Sequence, residues 1–96
     1  MRKYEIMYIL RADLDEAARA AEMEKVHKIL TDNGAEISKV DESMGLREFA
    51  YEIQEQKKGY YVVLKVAAEQ SALNEFARLV GIDSNVLRHL VVVDHD

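Results

Sequence analysis

Two rhythms alternate along the chain. From Arg2 to Leu10 apolar side chains return at every second residue, at Tyr4, Ile6, Tyr8 and Leu10, which is the period of a strand with one buried face. The spacing then lengthens. Leu14, Ala18, Met23, Val26, Ile29 and Leu30 fall along one side of an Ala/Glu/Lys-rich run that predicts a helix over about residues 15–32, with Asp13 or Asp15 placed to cap it and Asn33-Gly34 to end it. Alternation resumes from Ala35 to Ile53. Ile37 and Val40 precede Gly45, which reads as a bulge or bend, and Phe49, Tyr51 and Ile53 follow it. The polar segment Gln54 to Gly59 predicts a turn, and Tyr60 to Ala67, rich in Val and Tyr, a third strand paired with the second as a hairpin. Ser71 is the expected cap of a second helix carrying Leu73, Phe76, Ala77 and Val80 on one face, with Gly81 as a left-handed stop. Asp83-Ser84-Asn85 then turns the chain into a fourth strand, Val86 to Val93.

The order β-α-β-β-α-β predicts an α+β fold of the ferredoxin-like kind: a four-stranded antiparallel sheet with two helices on one face, in a single domain spanning residues 1–96. Two helices cover only one face of such a sheet, so strand parity separates core from open surface. With Ile6, Tyr8, Phe49, Tyr51, Val62, Leu64, Val66 and Val91 under the helices, the other face carries Met7, Ile9, Ala50, Tyr61, Val63, Leu90 and Val92, mixed with Lys3, Lys65 and Arg88. So apolar an open face is expected to meet a protein partner, with Met7, Ile9, Tyr61, Val63, Leu90 and Val92 as the contact residues.

Composition narrows the chemistry. Without cysteine there is no disulfide framework, thiolate metal site or Cys nucleophile. No apolar run reaches the roughly 18 residues of a membrane span, and Met1 leads at once into Arg2 and Lys3, so a cytoplasmic location is expected. A net charge of −5 argues against diffuse adhesion to nucleic acid and requires any RNA contact to be local. Asp13, Asp15 and Glu16 read as helix-start carboxylates. His27, His89 and His95 lack neighbours at ligand spacing and read as structural. No phosphate loop or nucleophile elbow is present. The expectation is no enzyme, no metal, no cofactor and no small-molecule substrate.

Several segments together resemble a known family. Arg2-Lys3-Tyr4-Glu5-Ile6-Met7-Tyr8-Ile9-Leu10, Leu30 through Asn33-Gly34-Ala35, Gly45-Leu46-Arg47-Glu48-Phe49-Ala50-Tyr51-Glu52-Ile53, Gly59-Tyr60-Tyr61 and Asn85-Val86-Leu87-Arg88-His89-Leu90-Val91-Val92 stand in order across nearly the whole chain. They look like bacterial small-subunit ribosomal protein S-six. The resemblance implies a structural constituent of the small ribosomal subunit that binds small-subunit rRNA in the central domain, or platform, together with ribosomal protein S-eighteen. The family often places two basic residues before its Leu/Phe-Ala-Tyr. Here Arg47 is followed by Glu48, which moves weight from RNA grip to the protein partner.

Arg2, Lys3 and Tyr4 form a basic-aromatic cluster suited to a phosphate and a stacked base. Arg47 and Arg88 offer guanidinium forks for the RNA backbone, and Lys57 and Lys58, expected in the hairpin turn, offer mobile ammonium groups. Lys58-Gly59-Tyr60 also opens like the signature of a stand-alone RNA-recognition motif, but Tyr61 stands where Gly or Ala belongs and Val62 and Lys65 replace the stacking aromatics. A ferredoxin-like metabolite-binding module or enzyme is the remaining alternative, and it would need a pocket with convergent polar groups.

Overall fold

The computed structural model describes residues 1–94, in the order β1 (Arg2–Arg11), α1 (Glu16–Asp32), β2 (Glu36–Ile53), β3 (Gln56–Ala68), α2 (Gln70–Gly81) and β4 (Val86–Val93). The strands form one antiparallel sheet in the order β2-β3-β1-β4, the predicted ferredoxin-like arrangement. Even-numbered β1 residues Tyr4, Ile6, Tyr8 and Leu10 pack with Val62, Leu64 and Val66 of β3 under Met23, Val26 and Leu30 of α1 and Leu73, Phe76 and Val80 of α2. Asp15 caps α1, its Oδ1 accepting the Ala18 amide at 2.7 Å, and Asn33 closes it by donating Nδ2 to the Ile29 carbonyl.

Four local expectations need correcting. Tyr51 is 83% exposed and outside the core, because β2 bulges before it: Glu48 pairs with Lys58 and Ile53 with Gln56, which leaves the β2 residues between them unopposed. The hairpin turn is only Gln54-Glu55, both at left-handed φ (49° and 66°), so Lys57 and Lys58 belong to β3. A two-residue turn of this hand normally shows Asn-Gly, and its absence hid it. Helix α2 starts from Glu69, with Ser71 already inside its first turn, and Glu69 makes no side-chain cap bond. Gly81 is the last helical residue, and the cap is Ile82 in a right-handed conformation.

One polar group lies deep in the packing. Glu22, 6% exposed, accepts from Asn85 Nδ2 at 3.1 Å through Oε1, while Oε2 is buried without a hydrogen-bond partner among the described residues. Burial, and then the neighbouring Asp83 carboxyl, push Glu22 above its ordinary value of 4.5. For Asp83 burial works upward too, but Glu22, the Asn85 amide and Lys25, 3.2 Å away, together hold it below the usual range. The signs differ. Glu22's contribution is complete below pH 4.5 and is lost as pH rises through its raised value, whereas Asp83's is lost as pH falls through its lowered one. Glu22→Gln keeps the acceptor for Asn85 and turns a donor toward Asp83. Its Tm is expected to exceed that of the unchanged chain by about 4–8 °C at pH 8, equivalent to about 1 kcal/mol, and to converge with it near pH 4. Thermal melts followed by circular dichroism across pH check this, and equal Tm values at pH 8 would contradict it.

Candidate protein and RNA interface

On the face away from the helices, strand register sets side chains in rows across the sheet. Gly45, Tyr61, Ile9 and Arg88 make one row, Asp41, Val63, Met7 and Leu90 the next, and Lys39, Lys65, Glu5 and Val92 a third. All six residues expected on the contact face therefore point to that side and run together as one apolar band, but Ile9 is corrected as a contact residue: at 5% exposure it is covered, and the other five form the accessible surface. Leu90 and Val92 are half exposed on the edge strand β4, and Met7, Ile9, Arg88, His89 and Leu90 line a shallow hollow of about 230 Å³. Ala50 is not part of the band, since it lies in the β2 bulge, outside the ladder.

The basic residues divide into two groups. Arg88 ends the Tyr61 row, Arg47 lies opposite Gly59 one step further along, and Lys57 and Lys58 continue on the adjoining stretch of β3. Arg47 Nε donates to the Met44 carbonyl at 2.9 Å, fixing the root of its guanidinium. None of these four side chains has a carboxylate within ion-pair distance among the described residues. Arg2 and Lys3 are exposed at the opposite end of the sheet, opposite Ala68 and Ala67, roughly 20 Å away at strand rise. Tyr4 corrects the expected base-stacking cluster: it is 7% exposed and its ring belongs to the core.

Two residues of this face escaped the sequence reading. Arg11 lies opposite Gly59 in the same row as Arg47, and its guanidinium is engaged by Asp13 through Nε at 3.1 Å and Nη2 at 2.9 Å, which holds the exposed carboxyl below its usual range. An Arg two residues before an Asp at a strand end was the available signal. Phe49, expected under the helices, instead places its ring against Tyr61, with centroids 6.3 Å apart.

His27 and His89 sit on the helix side. Tyr8 Oη and His27 Nε2 share a hydrogen bond at 2.8 Å, and burial lowers the imidazole below its ordinary value against the opposing pull of Glu42. Burial in turn drives the Tyr8 phenol upward. His89 packs edge-on against Phe76, and His95 lies outside the described residues. Among the described residues no three His, Cys, Asp or Glu side chains are grouped to hold a metal, and no helix is long and apolar enough to cross a membrane.

The family model described as ribosomal protein S6 matches residues 3–93. The small ribosomal subunit protein bS6 of Shouchella clausii is 54% identical over 94 residues, 98% of each chain. Its counterpart from Halalkalibacterium halodurans is 50% identical over 96 residues, the full length of both. In three dimensions the crystal structure of 30S ribosomal protein S6 from Thermotoga maritima superposes with a TM-score of 0.89 at 30% identity, covering 97% of this chain and 87% of that one.

Proposed function

The chain belongs to the bacterial ribosomal protein S6 family, and we propose that it serves, as one ferredoxin-like domain without catalytic activity, to dock ribosomal protein S-eighteen and with it to bind small-subunit rRNA in the platform. A protein of the small ribosomal subunit, it works in the cytoplasm. The observation that carries the proposal is the open face: Tyr61, Val63, Met7, Leu90 and Val92, with the buried Ile9 among them, lie contiguous on the sheet face that no helix covers. An apolar band of that kind, edged by arginines, fits a protein partner better than a phosphate backbone.

The RNA share falls to the end of the sheet that carries Arg47 and Lys57 on the β2-β3 side and Arg88 on the β4 edge, none of them with a carboxylate at ion-pair distance among the described residues, with Lys58 on the helix-side parity of β3. Arg2 and Lys3, at the other end, require a separate stretch. With the protein acidic as a whole, the basic partner supplies the remaining phosphate neutralisation.

Titrating a labelled central-domain rRNA fragment with this chain, with S-eighteen, and with both tests the reading. The expected result is tight binding only with both present. Equal affinity for this chain alone would favour the stand-alone RNA-recognition reading, and no response to S-eighteen would refute the docking role.

A further inference from the structure

Gly59 is an open-face position with no side chain of its own, flanked across the sheet by Arg47 on β2 and Arg11 on β1. A β-carbon there would run into Ile9 Cγ2 and lie 2.5 Å from Phe49 Cζ, inside any permitted contact, so the space above the glycine is already filled. Ile9 and the Phe49 ring fill it together. Phe49 follows Arg47 by two residues and so shares its open-face parity, and the unopposed β2 residues between Glu48 and Ile53 begin there, leaving the ring free of a direct cross-strand partner.

The packing that results serves the open face. Ile9 is only 5% exposed although it points away from the helices, and neither Ile9 nor Phe49 belongs to the core cluster beneath them. The Phe49 and Tyr61 rings meet at 59°, a tilted pair at a favourable separation. The far end of the same hairpin is tied across the sheet, Gln54 Nε2 donating to the Leu87 carbonyl of β4 at 3.4 Å. The bulged arm is thus pinned twice, and Arg47 and Tyr61 are held next to the ring that pins it.

Resting on the reading that a protein partner docks on this face, we propose that Phe49 is a positioning residue of the interface: its ring, locked in the Gly59 slot, holds the arm against the sheet and presents Tyr61 and Arg47 in fixed places to S-eighteen. A surface fixed before binding loses less conformational freedom on association, so the ring's contribution appears in partner affinity and only weakly in the stability of the free chain.

Phe49→Ala is expected to weaken S-eighteen binding about tenfold or more, while the Tm stays within about 3 °C of the unchanged chain. Gly59→Ala should evict the ring and weaken binding to a similar degree. In the Phe49→Ala/Gly59→Ala double variant the new methyl no longer meets the ring and only the approach to Ile9 Cγ2 remains, so its loss of affinity should be smaller than the sum of the two single losses. Losses that fail to add in this way mark a ring in a slot, which general damage to the hairpin would not reproduce. Phe49→Leu, which refills the slot, should recover most of the affinity. Binding by Phe49→Ala within about twofold of the unchanged chain, or losses that simply add, would overturn the proposal. Failure of the unchanged chain to bind S-eighteen is a different result and overturns the docking reading itself.

Discussion

Leu90→Glu is expected to abolish S-eighteen binding, lowering affinity by about a hundredfold or more, while leaving the fold intact. Leu90 lies at the edge of the apolar band, opposite Met7 and beside Arg88, and is 54% exposed in the free chain. In the free protein a carboxylate there stays in water and costs little. Beneath a docked apolar surface it would be desolvated, and an unpaired buried charge costs several kcal/mol, enough to remove a complex of ordinary affinity. Calorimetric titration with S-eighteen reads the loss and circular dichroism reads the fold. Affinity within a few-fold of the unchanged chain would mean that the partner sits elsewhere.

How much was legible beforehand follows from which forces acted locally. The period of two in β1 and the Asp15 and Asn33 caps of α1 are local signals, and the structure repeats them. The parity that put Met7 and Leu90 on one face held because β1 and β4 pair without interruption from Tyr4–Val93 to Ile9–Arg88. Parity failed in β2, where the register slips between Ile37 and Lys39 and again after Glu48: Ile37 pairs with Val66 on the helix side, but Arg47 pairs with Gly59 on the open one. Phe49 and Tyr51 therefore left the predicted core, one for the open face and the other for solvent. No spacing rule places a bulge. The signal that was available is Gly59, since a glycine in the middle of a Val/Tyr strand leaves a gap that something must fill.

Tyr4 and the paired lysines teach a related point. Arg2-Lys3-Tyr4 looks like a cluster when written in a line, but a strand sends neighbours to opposite faces, so Tyr4 goes to the core while Lys3 faces away. Lys57 and Lys58 read as loop residues because Gln54 and Glu55 are not the usual residues for a tight left-handed turn. The chain accepts that local strain because β2 and β3 pair on both sides of the turn.

Phe76→Ala is expected to produce the largest loss of stability in the chain, about 3–5 kcal/mol out of a total typically between about 5 and 15. Its ring is fully buried on α2 in the core cluster and meets His89 of β4 edge-on, centroids 5.7 Å apart, so it fastens the helix to the edge strand of the sheet. Removing it opens a cavity where the backbone of a short helix has little freedom to collapse. Urea unfolding followed by circular dichroism should show a lower midpoint with an unchanged slope. A cost under about 1.5 kcal/mol would mean that α2 is not fastened there. This variant also separates two ways of losing a partner. Phe76 lies under the helices, so any weakening of S-eighteen binding in Phe76→Ala should follow the unfolded fraction and disappear when a stabilising osmolyte restores the fold. The loss in Leu90→Glu should persist under the same conditions, because there the surface itself has been changed.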